Sequence, residues 1–379
     1  MNWVAWRMLT GDRAKYLGTV FGVAFGVLLI SQQMAIFVGL MRRTAHAAID
    51  VRDASIWVMS PDGKNVDEIK PLSDSDLYRI RGVPGVEWAV RFYKSLVRAR
   101  IDNGEFRQVI LMGIDDHTLV GAPVHLVAGS LADLRRPDAI IIDLPGYRLF
   151  WGDGPIELGR QLEMNDHRAV VVGVCDTTPP FQTFPVMYSR YSQAIGFAPR
   201  ERNQLSFVLA HQSPAHDPHE VCHSINEITG LAARTREEMI WFVVGYYMRS
   251  TGIPVNFGIT IALGFIVGTA IAGQTFYLFT LENLKQFGAL KAMGVSNWRL
   301  VGMILLQATT VGCIGYGLGI GLTALFFEST QNVTALMGFF LPWQVAVIAA
   351  GAVAMIIVLA SLLSLRKVLI LEPAVVFRG

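Results

Sequence analysis

The sequence predicts a membrane α-helical protein: four transmembrane helices, with a large α+β periplasmic domain inserted between helices 1 and 2. Three observations carry this. Of 379 residues 52% are hydrophobic and 16% charged, where ordinary soluble proteins carry about 25% charged residues. Mean hydropathy is +0.42. The missing charge is concentrated in four stretches without Asp, Glu, Lys or Arg, at 16–41, 250–281, 300–327 and 329–365, and the residues between the first two are of ordinary composition. These facts exclude a disordered chain, a collagen-like chain and a single water-soluble globule. A net charge of +2 without a long basic run gives no sign of nucleic-acid binding, and three cysteines are too few for a disulfide scaffold.

A span needs about 20 apolar residues to cross roughly 30 Å of hydrocarbon. The four stretches place helices near 17–40, 254–280, 300–326 and 342–364. Pro254 and Pro342 fall where proline is tolerated, in a first turn, and Trp343 suits an interface anchor. Ala45-His46-Ala47 has the form of a signal-peptidase site, but the preceding apolar run far exceeds the roughly 7–15 residues of a signal peptide. An uncleaved anchor is expected. Lys and Arg cluster on one side: Arg7, Arg13 and Lys15; Lys285, Lys291 and Arg299; Arg366, Lys367 and Arg378. The positive-inside rule makes these cytoplasmic, with Arg42 and Arg43 as exceptions. The expected organisation is a cytoplasmic N-terminus and first span over 1–44 and the periplasmic domain over 45–249. The second span (250–281), a cytoplasmic loop (282–299) and the third span (300–327) follow. A short periplasmic loop (328–341), the fourth span (342–365) and a cytoplasmic tail (366–379) complete it.

Within 45–249, Ser55–Met59, Leu96–Ile101, Gln108–Ile114 and Arg168–Val174 read as strands, being β-branched and partly alternating. Helices should start at Ser73 and at Asp217-Pro218. The domain should have two lobes, and a composition break near Gly152-Asp-Gly-Pro155 suggests an inserted subdomain. His219-Glu220-Val221-Cys222-His223 fits the zinc-protease pattern, in which two imidazoles on one helix hold zinc and the Glu is general base. Val221, Ile225 and Ile228 would share the buried face and leave His219, Glu220 and His223 on a solvated one. No third ligand follows at a known spacing, although Glu237 or Glu238 could be suggested. The match is read as coincidental, with no metal and no catalytic residue. Cys175 and Cys222 share this domain, and their pairing is left open.

The spans hold Gln32, Gln33, Gln274 and Gln307 but no ionised residue, which counts against an ion-coupled transporter. Gly315, Gly317, Gly319 and Gly321 suggest close helix packing, and Cys313 a small packing residue. The chain has no Gly-x4-Gly-Lys-Ser/Thr phosphate loop, so ATP-driven work would need a separate subunit. The most specific segment is the cytoplasmic loop. It continues the second span as helix formers, stops at Gly294 and restarts after Ser296. Phe287, Leu290 and Met293 are apolar where a mere turn should be polar, and are expected to press into a partner.

Lys285-Gln-Phe-Gly-Ala-Leu-Lys-Ala-Met-Gly-Val-Ser296 resembles the coupling segment of the MacB/FtsX-type ABC permeases, closest in wording to the DevC branch. Ser55-Ile-Trp-Val-Met59 and Leu371-Glu-Pro-Ala-Val-Val-Phe377 are weaker likenesses. The family's usual acids are here Gln286 and Gln307. The resemblance implies ATPase-coupling residues at Leu284, Lys285, Gln286, Phe287, Gly288, Leu290, Lys291, Met293, Gly294 and Val295. It also implies a second copy of the chain and a cytoplasmic ABC ATPase that holds ATP and Mg. A periplasmic membrane-fusion (HlyD-like) adaptor and an outer-membrane channel would complete an export pump for a lipid, peptide or other hydrophobic substrate, by mechanotransmission. No cofactor is expected on the chain itself. An FtsX-like regulator of a periplasmic enzyme is the alternative, and a membrane zinc protease a distant third. The long periplasmic domain favours export over regulation.

Overall fold

The computed structural model describes residues 2–67, 70–101, 104–199, 205–331, 333 and 336–370. It divides into two compact units, residues 1–39 with 252–379 and residues 40–251. The Leu371–Phe377 motif and Arg378 lie outside the described residues, as do the side chains of Arg366 and Lys367.

The first unit is helical. It holds α1 (Asn2–Gly11) and most of α2 (Arg13–Thr44). Its remaining helices are numbered in chain order: α9 (Ile253–Glu282), α10 (Leu284–Ala292), α11 (Asn297–Thr330) and α12 (Trp343–Ile370). Four of these, α2, α9, α11 and α12, are long and apolar enough to cross a membrane. Pro254 lies in the first turn of α9. Pro342 instead precedes α12, where its carbonyl accepts the Ala346 N–H at 3.3 Å. Val20, Val23, Val27, Phe276, Ala308, Val311, Val353 and Ile356 form the shared core of the bundle. Of the four alternating glycines 315, 317, 319 and 321 in α11, Gly315 and Gly319 serve close packing against α2. A Cβ there would come within 2.8 Å of Val23 and 2.6 Å of Val27, both on α2. At Gly317 and Gly321 it would meet nothing within 4 Å among the described residues. Ser31 and Thr323 clasp α2 to α11 through hydroxyls 2.7 Å apart.

The second unit begins with α3 (His46–Asp50), β1 (Ile56–Met59) and α4 (Asp74–Arg81). The capping box that opens α4 pairs Ser73 with Asp76. β2 (Val86–Arg100), β3 (Phe106–Ile114), β4 (His125–Gly129) and β5 (Ala139–Asp143) follow. Next come α5 (Leu144–Trp151), β6 (Gln161–Met164), β7 (His167–Asp176), β8 (Val186–Arg190) and α6 (Tyr191–Phe197). β9 (Phe207–Gln212), α7 (Pro218–Thr229), β10 (Ala232–Thr235) and α8 (Arg236–Ser250) close the unit.

The strands form one mixed sheet in the order β10-β1-β9-β2-β3-β8-β5-β7-β4, with β6 beside β2 and β7. β2 is shared between two lobes. Its first half pairs with β9, ending at Phe92 opposite Phe207, and its second half pairs with β3, starting at Tyr93 opposite Gly113. One core lies between β1, β9 and helices α4 and α7, with Ile56, Val58, Leu77, Ile80, Val208 and Ile225. The other gathers Val109, Leu111, Ile140, Ile142, Tyr147, Val171 and Phe197. Each such side chain, when fully buried, contributes about 1.5–3 kcal/mol. The inserted lobe therefore begins inside β2 and ends before β9. Gly152–Pro155 is only the loop that ends α5, where Gly152 adopts φ +80°. Composition changes there because the chain surfaces, not because a domain begins. Arg43 is 4% exposed. Its neighbour Arg42, the other exception to the charge rule, is exposed.

Candidate functional site

The loop between α9 and α11 is an ordered helix. α10 follows α9 almost without interruption, its first turn fixed by the Phe287 N–H on the Asn283 carbonyl at 3.0 Å. Its end is a Schellman motif. Gly294 takes φ +86°, and the Val295 N–H reaches back to the Leu290 carbonyl at 3.1 Å. Only glycine enters this left-handed region without strain. Ser296 then occupies the N-cap of α11, but its side chain makes no cap bond, and its carbonyl receives the Arg299 and Leu300 N–H groups instead.

Phe287 does not face a partner. It is fully buried in the chain's own core with Ala5, Leu300, Met303, Ile304 and Val368, and Leu290 and Val295 pack against the same cluster. The apolar excess of the loop thus has an internal cause: α10 needs an anchor against α11 and α1. The outward residues include Lys285, Gln286, Met293, Trp298 and Arg299, with Trp298 85% exposed. Trp298 is the second residue of α11. Gln307 is buried, and its Nε2 donates to the Ala5 carbonyl at 2.8 Å.

The HExxH residues lie on α7, which Asp217 caps through the His219 N–H at 3.0 Å. His219 and His223 are both exposed, with their Nδ1 atoms 3.2 Å from Glu238 and 3.5 Å from Glu227 respectively. Glu238 is already engaged in the capping box of α8 with Thr235. Among the described residues no three His, Cys, Asp or Glu side chains are grouped to hold a metal ion. The buried face of α7 is Val221, Cys222, Ile225 and Thr229, and Ile228 is exposed rather than buried. Cys175 and Cys222 are separate free thiols, both buried. Burial pushes the Cys222 thiol up to about 12 and raises that of Cys175 as well.

A polar knot that the sequence did not reveal joins α3, β2 and α8. Lys94, 5% exposed, pairs with Asp67, which also accepts the Tyr247 hydroxyl at 3.1 Å. His46 is buried beside them, and burial, reinforced by the Lys94 charge, lowers its pKa to about 3. Further along α3, Asp50 accepts the N–H and hydroxyl of Thr178 at 3.0 and 2.7 Å.

Four membrane-length helices, an ordered bracket between the second and third, and a two-lobed α+β domain between the first and second define a polytopic membrane protein of the permease class. The MacB-like periplasmic core domain family matches residues 16–221, and the FtsX-like permease C-terminal family matches residues 240–373. The chain belongs to the MacB/FtsX family of ABC transporter permeases. It is a multi-pass protein of the inner membrane, and the domain between α2 and α9 is its periplasmic domain. A permease of this family is not itself a catalyst.

Relatives include a Mycobacterium tuberculosis uncharacterised ABC transporter permease, 33% identical over 115 residues, 30% of this chain and 31% of that one. The matched stretch thus spans about a third of that relative's length. A second permease from the same species is 28% identical over 366 residues, 94% of this chain and 93% of that one. Among solved structures, the periplasmic region of MacB from Actinobacillus actinomycetemcomitans is similar at 14% identity and a TM-score of 0.40, over 50% of this chain and 92% of that one. The extracellular domain of the Gram-positive ABC-type transporter YknZ is similar at 18% and 0.36, over 48% of this chain and 98% of that one.

Proposed function

We propose that the chain is the membrane subunit of an ABC export complex. A separate cytoplasmic ATPase, holding ATP and Mg, would drive two copies of this permease, and their periplasmic domains would move in response. Export of a lipid, peptide or other hydrophobic molecule, aided by a membrane-fusion adaptor and an outer-membrane channel, follows the same reading. Kinship to the DevC branch rests on the wording of 285–296 alone.

The observation that supports the reading is the seating of α10. Phe287 fastens it to α11, and its first turn is continuous with α9. Force applied to α10 would therefore reach two spans without slack. Met293 and Trp298, exposed on this bracket, are the residues suited to fill a hydrophobic groove of the ATPase, together with Lys285 and Gln286.

Met293→Asp with Trp298→Asp should leave the permease folded and dimeric, since exposed positions tolerate substitution within about 0.5 kcal/mol. The same pair should release the ATPase on co-purification and abolish substrate-stimulated hydrolysis in reconstituted membranes. Wild-type binding and coupling in that variant would remove α10 from the mechanism. An FtsX-like regulator would retain ATPase binding at this bracket yet move no substrate. Phe287→Ala should behave differently, destabilising the fold by about 3–5 kcal/mol through the cavity it leaves.

A further inference from the structure

β2 changes partner between Phe92 and Tyr93, so the two lobes meet at a step that side chains, not a ladder, must bridge. Successive residues of a strand point to opposite faces, and the two faces bridge the step differently. On the face of Tyr93, Tyr191 of α6 packs against both cores and lies edge-on to the Tyr93 ring. Apolar packing is non-directional and tolerates a change of angle.

On the face of Lys94 the bridge is polar. Lys94 stands on the inserted-lobe side of the step, opposite Met112 of β3. Its buried ammonium meets Asp67, which lies between β1 and α4 in the other lobe. The hydroxyl of Ser206, just before β9, accepts the Lys94 N–H at 3.0 Å and donates to the Lys94 carbonyl at 3.2 Å. Two further contacts run alongside. Phe181, in the β7–β8 loop of the inserted lobe, has its ring centroid 5.1 Å from that of Tyr247 on α8, whose hydroxyl donates to Asp67. Asp50 of α3 holds Thr178 of the same loop. These ties gather where the chain enters the unit, at α3, and where it leaves, at α8.

Burying an ion pair costs desolvation that is recovered when both charges return to water, whereas one partner left buried alone is strongly unfavourable. Two arrangements are therefore favoured over anything between them, the pair closed or both charges hydrated. Water reaches the pair from the Asp67 side, whose side chain is 38% exposed against 5% for Lys94.

We propose that Lys94 and Asp67 form a reversible latch across the step in β2, with Tyr191 as the pivot, so that the inserted lobe swings on the other lobe when the pair opens. The latch belongs to the periplasmic domain itself and stands whether or not the chain exports a substrate.

The test uses the full chain in lipid nanodiscs with Cys313→Ala, mixed with excess unlabelled chain so that only distances within one copy are read. Spin labels at Trp241→Cys on α8 and Val127→Cys on β4, both exposed positions, report across the latch by double electron–electron resonance. Labels at Val127→Cys and Leu149→Cys, both in the inserted lobe, are the control. Lys94→Met, which removes the charge and nearly keeps the length, should add a second, longer distance across the latch. Its occupancy should exceed the wild-type value by about tenfold or more. Asp67→Asn should do the same, and the control distance should stay as it is in each. A single unchanged distance across the latch in both variants overturns the proposal, because the pair would then only fasten the fold. Loss of the control distance in both also overturns it, the pair being then a requirement of folding. If Lys94→Met alone disturbs the control, Asp67→Asn decides. A second distance in one variant alone, with the control intact in both, overturns it as well, since a latch fails when either partner is lost.

Discussion

Asp143 closes β5 and opens α5 with its carboxyl group buried, Oδ1 accepting the Val186 N–H at 2.9 Å. Burial raises its pKa from 3.8 to about 7, against the opposing effect of backbone N–H groups. Because the folded value lies above the unfolded one, the protonated acid is the form the fold favours. Its stabilising contribution is complete below about pH 4 and is lost as pH rises through 7. Asp50, raised to about 6 chiefly by burial, acts in the same direction over a slightly lower window. Buried His46, lowered to about 3, acts in the opposite direction up to its ordinary value of 6.5. The test is therefore a difference: the unfolding temperature of Asp143→Asn relative to the wild type, in detergent, should rise between pH 4 and 8. An identical slope in the variant would show that this carboxyl group does not titrate with folding. None of this was legible in the sequence, where Asp143 is one acid after an apolar strand. Its pKa depends on β8, which the chain reaches only after α5 and two further strands.

At the scale of one element, α11 separates glycines that pack from glycines that do not. Gly315→Ala and Gly319→Ala should loosen the α2–α11 contact and lower the unfolding temperature, because each Cβ would overlap Val23 or Val27. Gly317→Ala and Gly321→Ala should be neutral or stabilising by up to about 1 kcal/mol, the helix-propensity gain of alanine. Equal effects at all four positions, measured by thermal denaturation, would contradict this packing. The sequence disclosed a glycine-rich helix but not which alternate glycines meet α2, since that depends on how the helices cross. The same limit explains Phe287. An apolar residue in a polar loop was visible, whereas its partners Ala5, Leu300 and Val368 come from three different helices. The motif residues that were read correctly as local structure, Ser73 and Gly294, act through neighbours within five residues, and local signals survive in a sequence.

For the whole molecule, the charge-free stretches located the four spans because desolvating charge is costly anywhere in a bilayer. The family's signatures then follow from the same layout. Sidedness is open to direct measurement. Asp153 and Asn297 are exposed, and a cysteine at position 153 should react with an impermeant thiol reagent on intact spheroplasts, while one at 297 should react only after lysis. Labelling of both from outside would overturn the orientation. The two lobes were anticipated, but their junction was not, because β2 reads as uninterrupted strand and only its partners change midway. That shared strand has a mechanical consequence. Its 15 residues make a backbone beam of about 45–50 Å, hydrogen-bonded to one lobe over its first half and to the other over its second. Neither backbone ladder crosses the step from Phe92 to Tyr93, so the lobes can bend against each other there without unzipping a strand pair. A bend of about 5° at that step would carry the far end of either half, about 23–25 Å away, through about 2 Å.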